Sequence, residues 1–362
     1  MEFTPEEILE FCRTRANIIR QKYIEDMENK LTSFDRKMKE KGYQVFWISD
    51  EAELTETVFS LLPKNHYNKV CFDLPNVPED LRSSKSIRPV HYADVESGKT
   101  GASYLFVQAD FAIVETGTLV LLNKNSKNCL NSIPNLFVLL DISKLLNKAS
   151  DLETILYLRT HAHEQQYLPE DVKLINRPFS LIEPNFSDSS QGVTHTPVQI
   201  TIFLYDNGVT DIMQNSTLRE SLYCIDCDKC KTVCPMYEYT KEHTPIHIVR
   251  DNFLHHATNT EHIIKNAMLC GNCDQVCPVQ IPICNLILKE IELARQSHPG
   301  KSRLANTFDK RKKLNKMNGK INRWFFNKTT FGKNKMLYNY FKQQQDPFYN
   351  ILWMQENNEN DK

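Results

Sequence analysis

The spacing of apolar positions changes character several times along the chain. Residues 5–41 place Ile8, Phe11, Ile18 and Ile19 at roughly helical spacing among many charges, which predicts an amphipathic helix stopped by Gly42. QVFWIS (44–49) reads as a strand, DEAELTETVFSLLP (50–63) as a helix capped by Asp50 and ended by Pro63, and KVCFDL (69–74) as a strand. A strand, helix and strand of this length predict a parallel, right-handed βαβ unit. The strongest strand signal is ADFAIVETGTLVLLN (109–123), where FAIV and TLVLL flank Glu115, Thr116 and Gly117. Gly117 supplies a backbone angle that other residues resist. NLFVLLD (135–141) reads as a strand, SKLLNKA (143–149) as a helical turn and DLETILYLRTHAHEQQ (151–166) as a helix. Residues 169–195 read as loop, and QITIFLYDNG (199–208) as a strand ended by an Asp206-Asn207-Gly208 turn.

Alternating strands and helices predict an α/β open-sheet domain over residues 41–212, preceded by the N-terminal helix of residues 1–40. Periodicity then turns helical. Residues 213–223, 245–269 and 281–297 all read as helix, with a break expected at Thr258-Asn259. Residues 213–298 therefore form a helix-rich unit in which no internal repeat is evident, and residues 299–362 form a basic, aromatic tail.

The helix-rich unit carries the chemistry. Cys224, Cys227, Cys230 and Cys234 precede Pro235 in a C-x2-C-x2-C-x3-C-P run; Cys270, Cys273 and Cys277 precede Pro278 in a shorter one. The first run matches the ligand spacing of bacterial iron–sulfur clusters. Two-residue gaps let one loop curl three thiolates around a cubane, and the fourth Cys of such a run ligates the other cluster. By that rule Cys224, Cys227, Cys230 and Cys277 hold cluster one, while Cys234, Cys270 and Cys273 belong to cluster two. Ala267 stands where a full second run would have its first Cys. Cluster two is then a three-iron cluster, a four-iron cluster with an open iron, or one closed by a residue elsewhere. Cys284 and His243 are the nearest spare candidates. The competing assignment is zinc, but seven cysteines divide badly into tetrahedral sets and zinc ribbons do not call for Cys-Pro pairs.

Composition narrows the classes. The 362 residues suffice for two domains, and 41% apolar content suffices for cores. A net charge of −1 gives no whole-chain field toward nucleic acid or membrane. MEFTPEEILE lacks the pattern of a secretory signal, no apolar run approaches the roughly 18 residues of a membrane span, and thiols without a signal imply a cytoplasmic protein. Cys12, Cys71, Cys129 and Cys284 are scattered, and Cys71 reads as a small buried hydrophobe. From Pro299 to Gln345 thirteen Lys and Arg face one acid, Asp309, with aromatic residues interleaved. That stretch reads as a solvated tail, a docking surface for an acidic redox partner, or a peripheral contact with anionic lipid.

ADFAIVETGTLVLLN resembles the signature strand–turn–strand of the LUD (lactate utilisation) domain. QITIFLYDNGVTDIM with LRESLYCIDCDKCKTVCPMY, and later AMLCGNCDQVCPVQIPI, resemble the two halves of the ferredoxin-type segment that follows it in the lactate utilisation protein B family. The resemblance covers residues 20–300; the chain departs from it by compression between KVCFDL and ADFAIVETG and by a short, basic tail. It implies a CoA-transferase/ribose-phosphate-isomerase-like sheet, seven ligand cysteines distributed as above, and two partners. These are a cysteine-rich subunit like those of heterodisulfide reductases and a lone LUD protein, the three together oxidising L-lactate to pyruvate.

Glu115, between two apolar strands, is a weak candidate for a general base or substrate ligand, against a turn residue whose carboxylate caps amides. His161 and His163 lie two apart and do not share a helix face. No P-loop, G-x-G-x-x-G or Ser–His–Asp pattern appears, so no nucleotide, flavin or catalytic triad is indicated. The expected function is an iron–sulfur electron-transfer subunit of an L-lactate oxidation complex, not itself catalytic. The alternatives are a metabolite-binding iron–sulfur redox sensor and the same subunit for another 2-hydroxy acid.

Overall fold

A computed structural model describes residues 4–64, 67–122, 129–130, 132–163, 172–176, 180–183, 194–240, 244–254 and 267–297. The chain divides after Gln214 into two compact units. His243, His255 and His256, the Thr258-Asn259 break and the basic tail lie outside the described residues.

The first unit begins with α1 (Pro5–Glu25) and α2 (Met27–Glu40) rather than one continuous helix. Thr4 caps α1 in a reciprocal capping box with Glu7. The break falls at Asp26, which leaves helical geometry at φ −120 and ψ 25 while its carboxylate accepts from Asn29. A short acidic side chain that bonds its own neighbourhood competes with helix continuation. Helical spacing alone carries no sign of that competition.

The strands in chain order are β1 (Gln44–Ile48), β2 (Asn68–Asp73), β3 (Ile87–Val90), β4 (Tyr104–Gln108), β5 (Phe111–Ile113), β6 (Thr118–Leu122), β7 (Asn135–Asp141), β8 (Leu145–Leu146), β9 (Val172–Ile175), β10 (Ser180–Glu183), β11 (Thr194–Pro197) and β12 (Gln199–Tyr205). Six form a parallel sheet in the order β1-β12-β7-β4-β2-β3. β1 and β2 thus share a parallel sheet without being neighbours: three strands separate them, so the expected βαβ step is a long crossover. Phe106, Phe137 and Phe203, one from each of three central strands, meet at 5.5–5.9 Å between ring centres. They form a core with Leu54 and Val58 of the helix α3 (Glu51–Leu61). Asp50 caps α3 through Glu53 N.

The LUD-like signature folds as the antiparallel pair β5–β6, every residue of which is buried. It sits in a second sheet ordered β8-β5-β6-β9. β9 is formed by residues that read as loop; VKLI is too short to show a period and gains its strand from pairing with β6. β10 and β11 likewise pair within or beside that stretch.

Three cationic side chains tie the N-terminal helices to the rest of this unit. Arg20 is fully buried and donates to the carbonyls of Ser143 and Leu145, while the Tyr23 hydroxyl donates to that of Ile142. Burial raises the Tyr23 pKa far above the ordinary phenol range and keeps it a donor. From α2, Lys37 donates to the carbonyls of Val114 and Glu115, and the Lys41 ammonium reaches those of Thr116, Gly117 and Asn176. Gly117 stands at φ +58, where an added Cβ would lie 3.2 Å from Met38 Sδ and 3.3 Å from Lys41 Nζ.

Two stability outcomes follow. Arg20→Met strips a charged donor from two carbonyls, so we expect a loss of about 2–4 kcal/mol in denaturant unfolding. Gly117→Ala combines left-handed strain with the tight contact to Met38 and Lys41, so a loss of about 1–2 kcal/mol is expected, read as a lowered thermal midpoint. A variant as stable as the parent would remove the claimed role in either case.

Candidate metal centre

The second unit is built around its cysteines. Ordinary loops do not bring three thiols to one point; here left-handed residues do it. Asp226 (φ 50) and Asp228 (φ 55) flank Cys227, and Leu269 (φ 57) and Gly271 (φ 81) flank Cys270. The positions correspond one for one, with Cys230 matching Cys273, Cys234 matching Cys277 and Pro235 matching Pro278. The two runs are a short structural repeat. Sequence inspection misses it because only one of these four left-handed positions is glycine, and glycine is the residue that announces such a conformation. In the repeat Ala267 occupies the place of Cys224.

Each run then turns into a short helix, Lys229–Thr232 or Asn272–Val276. Cys224, Cys227, Cys230 and Cys277 line one pocket, with His247 at its wall. Cys234, Cys270 and Cys273 line a second, with Ala267 and Cys284. The pockets are of similar size, about 400 and 330 Å³ including their mouths. Each run thus contributes its last Cys to the other run's pocket, and all seven sequence-selected cysteines are gathered. Cys284, which reads as scattered, is gathered as well.

Backbone amides point at the sulfurs. Asp226 N donates to Cys224 Sγ at 3.4 Å, Tyr237 N to Cys234 Sγ at 3.5 Å, and Ile281 N to Cys277 Sγ at 3.4 Å. Ile246 N, in the first turn of the helix Pro245–Leu254, faces Cys230. Such donors stabilise negative sulfur. Against them, burial raises the pKa of the Cys230, Cys234 and Cys270 thiols. The Cys273 thiol is held up first by the facing Cys284 and then by burial. Thiolates packed this way need cations among them.

This donor set fits iron–sulfur clusters: thiols gathered in two pockets, N–H groups aimed at sulfur, and apolar walls such as Ile225 and Ile248. Asp228 is exposed and pairs with Lys231 at 3.7 Å, and Lys231 lies 5.1 Å from the Tyr237 ring centre.

The remaining candidates lie in the first unit. Glu115 is exposed at the β5–β6 turn; its N–H donates to Asn147 O and its carbonyl accepts from Lys37. Asp110 accepts from Leu122 N at 2.8 Å, a bond internal to the hairpin. Cys71 is fully buried, with its thiol pushed up to about 12 by burial. Cys129 is buried against Tyr92 O. His161 stacks on Tyr157 within its own helix.

A 4Fe-4S dicluster domain model matches residues 220–281. Lactate utilization protein B of Anoxybacillus flavithermus is 23% identical over 265 residues, covering 68% of this chain and 52% of the relative. That of Geobacillus thermodenitrificans is 23% identical over 269 residues, covering 70% and 53%. That of Bacillus cytotoxicus is 27% identical over 207 residues, covering 55% and 40%. The chain spans about half the length of the curated relatives it matches. A crystal structure of a DUF162 family protein from Deinococcus radiodurans aligns over 49% of this chain and 98% of its own, at a TM-score of 0.35 and 12% identity. No helix among the described residues is long and apolar enough to cross a membrane. The chain carries an α/β unit with a parallel sheet followed by a 4Fe-4S ferredoxin-type segment, and in sequence it is similar to lactate utilization protein B.

Proposed function

We propose that the protein is an electron-transfer subunit that carries electrons away from L-lactate oxidation. The observation that carries the reading is the gathering of seven cysteines into two adjoining pockets within one small unit. Its sequence likeness to proteins named for lactate utilization supplies the substrate.

Cys224, Cys227, Cys230 and Cys277 hold the first cluster; Cys234, Cys270 and Cys273 hold the second. Bound there, the clusters supply one-electron transfer at potentials set by charge, hydrogen bonding to sulfur and burial. The protein's own part is to position and tune. The left-handed residues beside Cys227 and Cys270 aim the thiols inward. The amides of Asp226, Tyr237, Ile246 and Ile281 offset negative charge on sulfur and favour the reduced state. Asp226, whose carboxylate lies 3.4 Å from Cys224 Sγ, works the other way. The exposed Asp228 and its neighbour Lys231 present paired charge beside the first pocket, where a redox partner can be recognised.

Oxidation of the substrate falls to a partner. The expected pair is a cysteine-rich subunit like those of heterodisulfide reductases and a lone LUD protein. The LUD-like unit of this chain holds β5 and β6 fully buried, which supports a scaffold role for the signature segment.

Two measurements check this. Protein purified without oxygen is expected to contain iron and acid-labile sulfide, with Cys227→Ser and Cys270→Ser each losing at least half the iron. Stoichiometric zinc in place of iron would overturn the cluster assignment. Material co-purified from the native host is expected to reduce a dye when given L-lactate and to lose that activity with Cys227→Ser. Reduction with a different 2-hydroxy acid alone would move the substrate.

A further inference from the structure

The two pockets differ in one respect that the repeat makes visible. Where the first has Cys224, the second has Ala267, which is only 6% exposed and lines the cavity without offering a ligand. A second thiol compensates. Cys284 lines the same pocket as Cys234, Cys270 and Cys273. Its Sγ lies 3.7 Å from Cys273 Sγ. It comes from a different direction, the first turn of the helix Ile283–Ser297, which folds back after Pro282.

Cys284 is held in place. Its N–H donates to Asp274 Oδ1 at 2.9 Å, and Asp274 follows directly on Cys273. One carboxylate thus links the second cysteine loop to the start of this helix. The helix beneath is anchored by Ile283, Leu286 and Ile287, each 3% exposed or less.

We infer that Cys284 is the fourth ligand of the second cluster, which is therefore a complete four-iron cluster closed by a residue outside the C-x2-C-x3-C run. This rests on the iron–sulfur reading above and goes further by removing the open iron. Ligation requires Cys284 to lose its proton to solvent and bind iron as thiolate; no electrons are exchanged and no further reactant is needed. A sensor role that depends on an open iron in the second cluster is thereby disfavoured.

The test uses the full chain purified without oxygen, with iron and sulfide counted per chain and paramagnetic resonance recorded after mild oxidation. Wild type is expected to hold about eight irons and to give no three-iron signal. Cys284→Ala is expected to hold about seven and to give the narrow, near-isotropic signal of one oxidised three-iron cluster per chain. Adding Ala267→Cys to Cys284→Ala restores the ligand at its place in the repeat and is expected to return both readings to wild type, which separates ligand loss from misfolding. Cys284→Ala with about eight irons and no such signal would overturn the inference and pass the fourth position to Asp274 or solvent. Wild type with about seven irons, unchanged by Cys284→Ala, would overturn it as well while leaving the electron-transfer reading intact. Wild type without iron would remove both.

Discussion

Several thiolates can share a small cavity only with positive charge among them, and the second unit is organised around that constraint. Its sulfurs are buried and adjacent, a combination that raises their pKa values while they are thiols. Several neighbours relieve that strain in part. Amide donors from four residues point at sulfur, and the first turns of two helices present their N-termini toward the pockets. What they leave unbalanced is the charge that iron supplies. The left-handed residues around Cys227 and Cys270 belong to the same logic, since only a tightly curled loop turns three side chains inward over so few positions.

The first unit solves a different problem. Its second sheet carries a hairpin with both strands buried, and the carbonyls of its turn and of the segment leading into β8 need donors. Those donors are long cations from the N-terminal helices: Arg20 on the segment Ser143–Leu145, and Lys37 and Lys41 on residues Val114–Gly117. A single ammonium can serve several carbonyls because it has three donors on a flexible stem. Gly117 permits the close approach of that stem, so the signature turn and the preceding helix make one packing arrangement.

Much of this is legible in the sequence and some is not, for definite reasons. Of the parallel sheet, β7 and β12 read as strands, as β5–β6 read as strand–turn–strand, because burial on both faces leaves a clear mark; β3 and β4 were not read as strands. Strand neighbours were not legible: which parallel strands pair depends on crossover lengths, so β1 and β2 look adjacent and are not. The break at Asp26 and the strand β9 hinge on single local competitions that periodicity averages away. Among the cysteines, two runs stand out by spacing. Cys284 does not, because its place is set by the return of a helix rather than by distance along the chain. The repeat that relates the runs is one of backbone angles, which Asp and Leu adopt here without announcing it.

The exchange of the last cysteine between runs also bears on how the protein is made. Neither pocket can be finished by one segment: Cys277 must reach the first and Cys234 the second. Between Cys234 and Cys270 lie 35 intervening residues, and closing a loop of that length opposes assembly by about 4 kcal/mol. On the proposed ligand assignment the first cluster to be inserted meets that cost for both, because it draws the two runs together, and the second then enters a site already formed. That assignment makes loading cooperative: partly filled molecules would be rare at equilibrium, and oxidative loss of one cluster would loosen the hold on its neighbour.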